Sequence, residues 1–128
     1  MNDKSEINKA IVSDFYNLAF NLKKPEEAAD KYLGSHYRQH NPGAPDGKEP
    51  FIAFVNGFQK IFPTLRFEIK RLVAGDDLVV QHSHLIRKAG DRGMAVIDIF
   101  RLENGKIVEH WDVLQEIPET SANSNTMF

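Results

Sequence analysis

The spacing of hydrophobic residues changes once along this chain, near Pro63, and that change limits the folds open to it. Before it, apolar residues recur every three or four positions; after it, they fall in short runs of β-forming residues. Over residues 5–20 the stripe Ile7, Ala10, Ile11, Phe15, Leu18 and Ala19 predicts an amphipathic helix with Ser5 as its N-cap. Pro25 followed by Glu26 and Glu27 marks a second helix start, running through Ala28, Ala29, Tyr32 and Leu33 to a stop at Gly34. A short extended piece at 36–40 leads into the turn-rich stretch 41–47. A third helix then carries Phe51, Ile52, Phe54, Val55, Phe58, Ile61 and Phe62, so apolar that burial on more than one side is expected. Strands follow at 67–73, 78–87, 94–103 and 107–115, separated by Gly-, Asp- and Asn-rich turns. Helices first and a meander of strands second predict an α+β fold, its helices on one face of a curved antiparallel sheet.

At 128 residues the chain has room for one core. We expect a single domain over 1–117, with 118–128 as a polar, frayed tail. A net charge of −2, with scattered Lys and Arg, argues against a nucleic-acid or anionic-membrane binder. No apolar stretch approaches the roughly 20 residues of a membrane span, and the polar start lacks a signal core. Without cysteine there is no disulfide, thiol nucleophile or Cys-based metal site. The expected location is the cytoplasm.

Strand side chains alternate faces. His82 and His84 therefore share a face with Leu78, Val80 and Ile86; Asp98 shares one with Val96 and Phe100; His110 and Asp112 share one with Val108 and Leu114. Ionisable groups set among apolar residues on three strands suggest one pocket. Whether the last two faces coincide depends on Glu103-Asn104-Gly105-Lys106. A two-residue Asn-Gly turn pairs Glu103 with Lys106 and separates Asp98 from Asp112. A three-residue loop with Gly105 as a bulge pairs Leu102 with Lys106, sets Asp98 opposite His110 and brings Arg101 and Glu109 together. Face chemistry favours the bulged loop.

A carboxylate on an apolar face must be paired or partly neutral, which suits a general acid or base working near neutral pH. Against this stand a purely structural Asp98–His110 pair and a metal site built on His82 and His84 with Asp98 or Asp112. Trp111, on the far face from Asp112, is expected to pack, and His36 to lie on the surface.

The segments Tyr37-Arg-Gln-His40-Asn41-Pro42, Asp98-Ile-Phe-Arg101 and Glu-Asn-Gly-Lys-Ile-Val-Glu-His110-Trp111-Asp112 together resemble the SnoaL-like polyketide cyclases, of the nuclear-transport-factor-two-like superfamily. The resemblance spans the chain to about Ile117. It implies a cone-shaped fold, three N-terminal helices on a strongly curved mixed or antiparallel sheet, in a homodimer that binds a small-molecule substrate. It also implies aldol or related isomerase or dehydratase chemistry on a carbonyl compound, with neither metal nor cofactor. The family's acid/base aspartate follows the last-strand tryptophan, which is Asp112 here. The family's pocket histidine falls where this chain has Asp98, leaving His110 or His82 to supply an imidazole. The expected site is therefore Asp112 as base, tuned by Asp98 and His110. His40 and Asn41 are expected to place the substrate oxygen, with His82, His84, Phe54, Phe58 and Phe100 on the pocket wall. The alternative reading is a non-catalytic ligand-binding or dimerisation module.

Overall fold

A computed structural model of the chain describes residues 3–128. Helix α1 (Asp3–Tyr16) passes into a π-helical turn (Asn17–Asn21), followed by α2 (Pro25–Tyr32), β1 (Leu33–Gln39), α3 (Lys48–Ile61), β2 (Arg66–Gly75), β3 (Leu78–Ile86), β4 (Met94–Glu103) and β5 (Lys106–Glu116). The strands form one strongly curved sheet in the order β1-β5-β4-β3-β2. Strand β1 runs parallel to β5, and the remaining pairs are antiparallel. The sheet is therefore mixed, because a helix-linked strand returns to the edge beside β5. No helix among the described residues is long and apolar enough to cross a membrane.

The core lies between the three helices and the concave face of the sheet. Val12, Phe15, Ala19 and Phe20 meet Ala28 and Ala29 of α2, Phe51 and Val55 of α3, and Val79, Leu85, Val96 and Phe100 of the sheet. Phe15 stands 6.1 Å from Phe100 edge to face and 5.1 Å from Phe51. Full burial of each such ring is worth about 1.5–3 kcal/mol. Three helix expectations need correction. Ser5 lies inside α1 rather than capping it, and Ile7 is exposed while Asn8 takes the buried place. Gly34 does not stop a helix. It sits in β1, where a Cβ would come within 3.0 Å of Val108 Cγ1, so the strand needs glycine to approach β5. Helix α3 buries only Phe51 and Val55; Phe54 and Ile61 are exposed. Its apolar excess lines an opening instead of a second core.

The β4–β5 hairpin also differs from expectation. Asn104 and Gly105 both have positive φ (50° and 78°), and Glu103 pairs with Lys106 across a two-residue turn. The bulge falls one step later, between the pairs Leu102–Ile107 and Arg101–Glu109, leaving Val108 as the extra residue. That residue shifts the ladder so that Asp98 faces Asp112 directly and Phe100 faces His110. The shared face of Asp98, His110 and Asp112 holds, as does the Arg101–Glu109 pair, which is closed at 2.9 Å. The predicted Asp98–His110 register does not.

Residues 118–128 form no helix or strand, yet the tail returns to the sheet. The Phe128 ring lies over His84 at 4.6 Å and His82 at 5.4 Å, on the convex face. The end of the tail is thus held against the sheet.

Candidate active site

Three strands place one polar row on the concave face, because Gln81 pairs with Asp98 and Asp98 with Asp112. Gln81 and Asp98 are wholly buried and His110 nearly so. Behind this row the core closes; in front of it opens a pocket. Its walls are Phe15, Tyr16, Phe20, Tyr37, Phe51, Phe54 and Phe100, and its polar lining is Gln39, Asn41, His110 and Asp112. A second chamber, bounded by Phe54, Phe58, Phe62, Leu85, Met94, Val96 and Leu114, meets the first at Tyr16, Asn41 and Asp112. Its one cationic wall residue, Arg87, is held by Asp91 and Glu116.

The hydrogen bonds fix where protons sit. The Asn41 backbone N–H donates to Gln39 Oε1 at 3.0 Å, which identifies that atom as oxygen. The same oxygen is 2.7 Å from His110 Nδ1, so Nδ1 must carry a hydrogen. His110 Nε2 lies 2.7 Å from Asp98 Oδ1. If the ring is neutral, Nε2 is bare and the carboxyl supplies the proton; if the ring is charged, Nε2 supplies it. Either way the pair holds one shared proton. Burial pushes Asp98 above the usual carboxylate range, partly offset by His110 and by the Tyr16 hydroxyl, with Asp112 adding to the rise. The shared proton is thereby biased toward Asp98. Asp112 Oδ2 lies 3.9 Å from the same Nε2, and both Asp112 oxygens accept from Asn41 Nδ2 at 2.9 and 3.0 Å.

Among the described residues, Asp98, His110 and Asp112 also present ligand-type atoms within 4.8 Å of one another. Two donors on one ion with bonds of about 2.0–2.2 Å stand roughly 3 Å or more apart. The 2.7 Å Asp98–His110 contact is instead that of a hydrogen bond, so the trio as arranged does not fit a cation.

Several expected site residues lie elsewhere. His82 and His84 project from the convex face, since their strand buries Val79, Gln81, Ser83 and Leu85 instead. His82 receives a hydrogen bond from Arg71, and His84 Nε2 lies 2.7 Å from the Arg92 carbonyl. They meet neither Asp98 nor Asp112, which removes the metal set built on them. His40 also points away: it stacks on Trp111 at 4.8 Å and pairs with Glu109 at 2.7 Å. Asn41, Phe54 and Phe100 line the first pocket, and Phe58 the second chamber. Tyr16, Tyr37 and Gln39 are pocket residues that the sequence did not single out as part of the site. Tyr37 and Gln39 alternate toward His110 from an edge strand whose parallel partner could not be read locally. Tyr16 lies beside the helical stripe, and the π-helical turn begins directly after it.

A SnoaL-like domain model matches residues 12–110. No match was found among curated protein sequences. The fold is shared with TsrD from Streptomyces laurentii (24% identity, TM-score 0.72, 89% of this chain and 90% of that one). A candidate polyketide cyclase from Bacillus cereus ATCC 10987 is 26% identical at a TM-score of 0.70, covering 81% of this chain and 71% of that one. A candidate SnoaL-like polyketide cyclase from Jannaschia sp. CCS1 is 16% identical at 0.74, covering 89% of each. With the matched model spanning most of the chain and the helices and sheet superposing on these structures, the protein belongs to the SnoaL-like family.

Proposed function

We propose that this protein is an acid/base enzyme acting on a small, uncharged carbonyl compound, with Asp112 as general base and then acid. The observation that carries this is the Asp112 carboxylate, aimed by Asn41 at an aromatic-walled pocket and set beside the proton-bearing Asp98–His110 pair. One carboxyl group able to take a proton and a second that keeps one divide the labour of moving hydrogen next to a carbonyl. The walls select for substrate type: they are aromatic, and their one guanidinium is already committed to two carboxylates, so nothing invites a phosphate or carboxylate. The proposed step breaks a C–H bond beside the carbonyl. Its proton goes to Asp112 and its electron pair forms the enolate. Attack of the enolate carbon on a second carbonyl moves that carbonyl's π pair onto its oxygen, which takes the proton back from Asp112 to give an aldol product; return of the proton at another carbon gives an isomer. Exposed Val73, Ile97 and Val113 on the convex face support a homodimer packed through that face.

The test is deuterium uptake from D₂O into bicyclic aromatic ketones, led by 2-tetralone, followed by proton NMR. Asp112→Asn should slow enzyme-dependent exchange about 100-fold or more. Exchange at the wild-type rate in that variant would show that Asp112 is not the base. If the wild-type protein accelerates none of the ketones, it does not act on this class.

A further inference from the structure

We infer that Tyr16 and Tyr37 together form the site that holds the substrate oxygen as negative charge develops on it. The inference rests on the acid/base reading above and names the electrophile which that reading lacks. A base alone cannot drive enolate formation: the charge leaving the C–H bond arrives on oxygen, and an apolar pocket penalises it unless donors are already in place.

The two phenols meet that need from separate elements, one from the end of α1 and one from β1. Both are more than nine-tenths buried, at 6% and 4% exposure, and both line the pocket that Asp112 enters. Tyr37 accepts a hydrogen bond from Gln39 Nε2 at 3.3 Å through its oxygen, which leaves its own O–H to donate. Tyr16 stands beside the Asp98 carboxyl and interacts with it through its hydroxyl, yet the contact falls short of full hydrogen-bond geometry, since Asp98 Oδ2 has no partner of that kind among the described residues. A carbonyl oxygen entering the pocket competes with Asp98 for the Tyr16 proton. The phenols also lie near enough to feel each other. Burial keeps both neutral, reinforced by the nearby Asp98 and Asp112 carboxyls, so each retains the hydrogen it would donate. No cation in the lining competes for the role, because Arg87 is spent on Asp91 and Glu116.

In the step that follows, Asp112 takes the proton from carbon and the bonding pair moves to the carbonyl oxygen. That oxygen accepts hydrogen bonds from Tyr16 and Tyr37 without taking a proton from either. Both phenols are thus catalytic residues in contact with the substrate oxygen.

Tyr16→Phe and Tyr37→Phe are suitable perturbations because they keep the rings, including the Tyr16 contacts with Phe20 at 4.7 Å and Phe67 at 4.8 Å. Each should lower ketone exchange about 100-fold while leaving the thermal midpoint near that of the parent. The second readout is binding of 2-naphthol, an enolate mimic, to Asp112→Asn, whose amide stands for the protonated base. Adding either phenylalanine should weaken that binding about tenfold. If neither variant changes exchange or 2-naphthol affinity, the two-phenol site is wrong. If 2-naphthol binding depends on both phenols while the wild type exchanges no ketone, the oxygen site stands and the acid/base reading falls.

Discussion

Replacing Gln39 with leucine tests the proton accounting at the site most directly. Gln39 Oε1 accepts from His110 Nδ1 at 2.7 Å and from the Asn41 backbone at 3.0 Å. Leucine keeps most of the volume and removes both acceptors. A buried donor left without a partner costs about 1–3 kcal/mol. Gln39 itself is only half-buried, so water replaces part of what is lost and the lower end applies to each donor. The expected loss is about 2 kcal/mol, or roughly 8 °C in the thermal midpoint for a domain of this size. The consequence for the site should be larger. Without its acceptor, His110 is free to carry its hydrogen on Nε2, which turns a shared-proton contact with Asp98 into a plain donation and favours the ionised carboxylate against the pull of burial. Ketone exchange should fall at least about tenfold. Gln39→Glu, which restores an acceptor in place, should recover part of both effects. Urea and thermal unfolding measure the first quantity, and proton NMR exchange the second. Nitrogen-15 NMR of His110 then reports the tautomer. A wild-type ring protonated at Nε2 alone, or a leucine variant with unchanged midpoint and exchange, would refute the reasoning.

Two further outcomes follow from the same geometry. An unfolded aspartate gives up its proton near pH 4, whereas burial holds folded Asp98 protonated to higher pH. Between those values only the unfolded chain has lost the proton, so the contribution of Asp98 to folding stability falls as pH rises through that window, by about 1.4 kcal/mol per unit of separation, and that contribution is gone above the folded value. Asp98→Asn should flatten that dependence, while its amide still donates to His110; an unchanged slope in urea titrations against pH would assign it to another group. His82→Ala and His84→Ala, on the convex face, should leave ketone exchange within about twofold of wild type while loosening the Phe128 end of the tail. A fall in exchange comparable to that of Asp112→Asn would place the histidines in the reaction.

The order of helices and strands was legible along the chain because periodicity and turn chemistry are local. Pro25, the Gly- and Asp-rich turns and the β-forming runs each state their element without reference to the rest. The common face of Asp98, His110 and Asp112 was also within reach, since side chains two apart share a face and the net count across the hairpin keeps its parity. Register was not. The Asn104–Gly105 turn and the Val108 bulge together shift the ladder by two residues from the one expected, and only Gly34 closing on Val108 from β1 shows where the extra residue belongs. The face of β3 misled for a related reason: Leu78, Val80 and Ile86 make the outer side look like the core, while Gln81 and Ser83 are polar yet wholly buried. Pairing of Gln81 with Asp98 decided the matter, and pairing is a property of two strands. His40 turned outward because Trp111 and Glu109 receive it there. Tyr16, Tyr37 and Gln39 gained significance only when α1 and β1 were laid against β5. The sequence by itself determined which segments are helix and strand, and that acids and an imidazole share a surface. Tertiary structure alone decided which polar groups that surface meets, because contacts between distant segments depend on closure of the sheet and not on local preference.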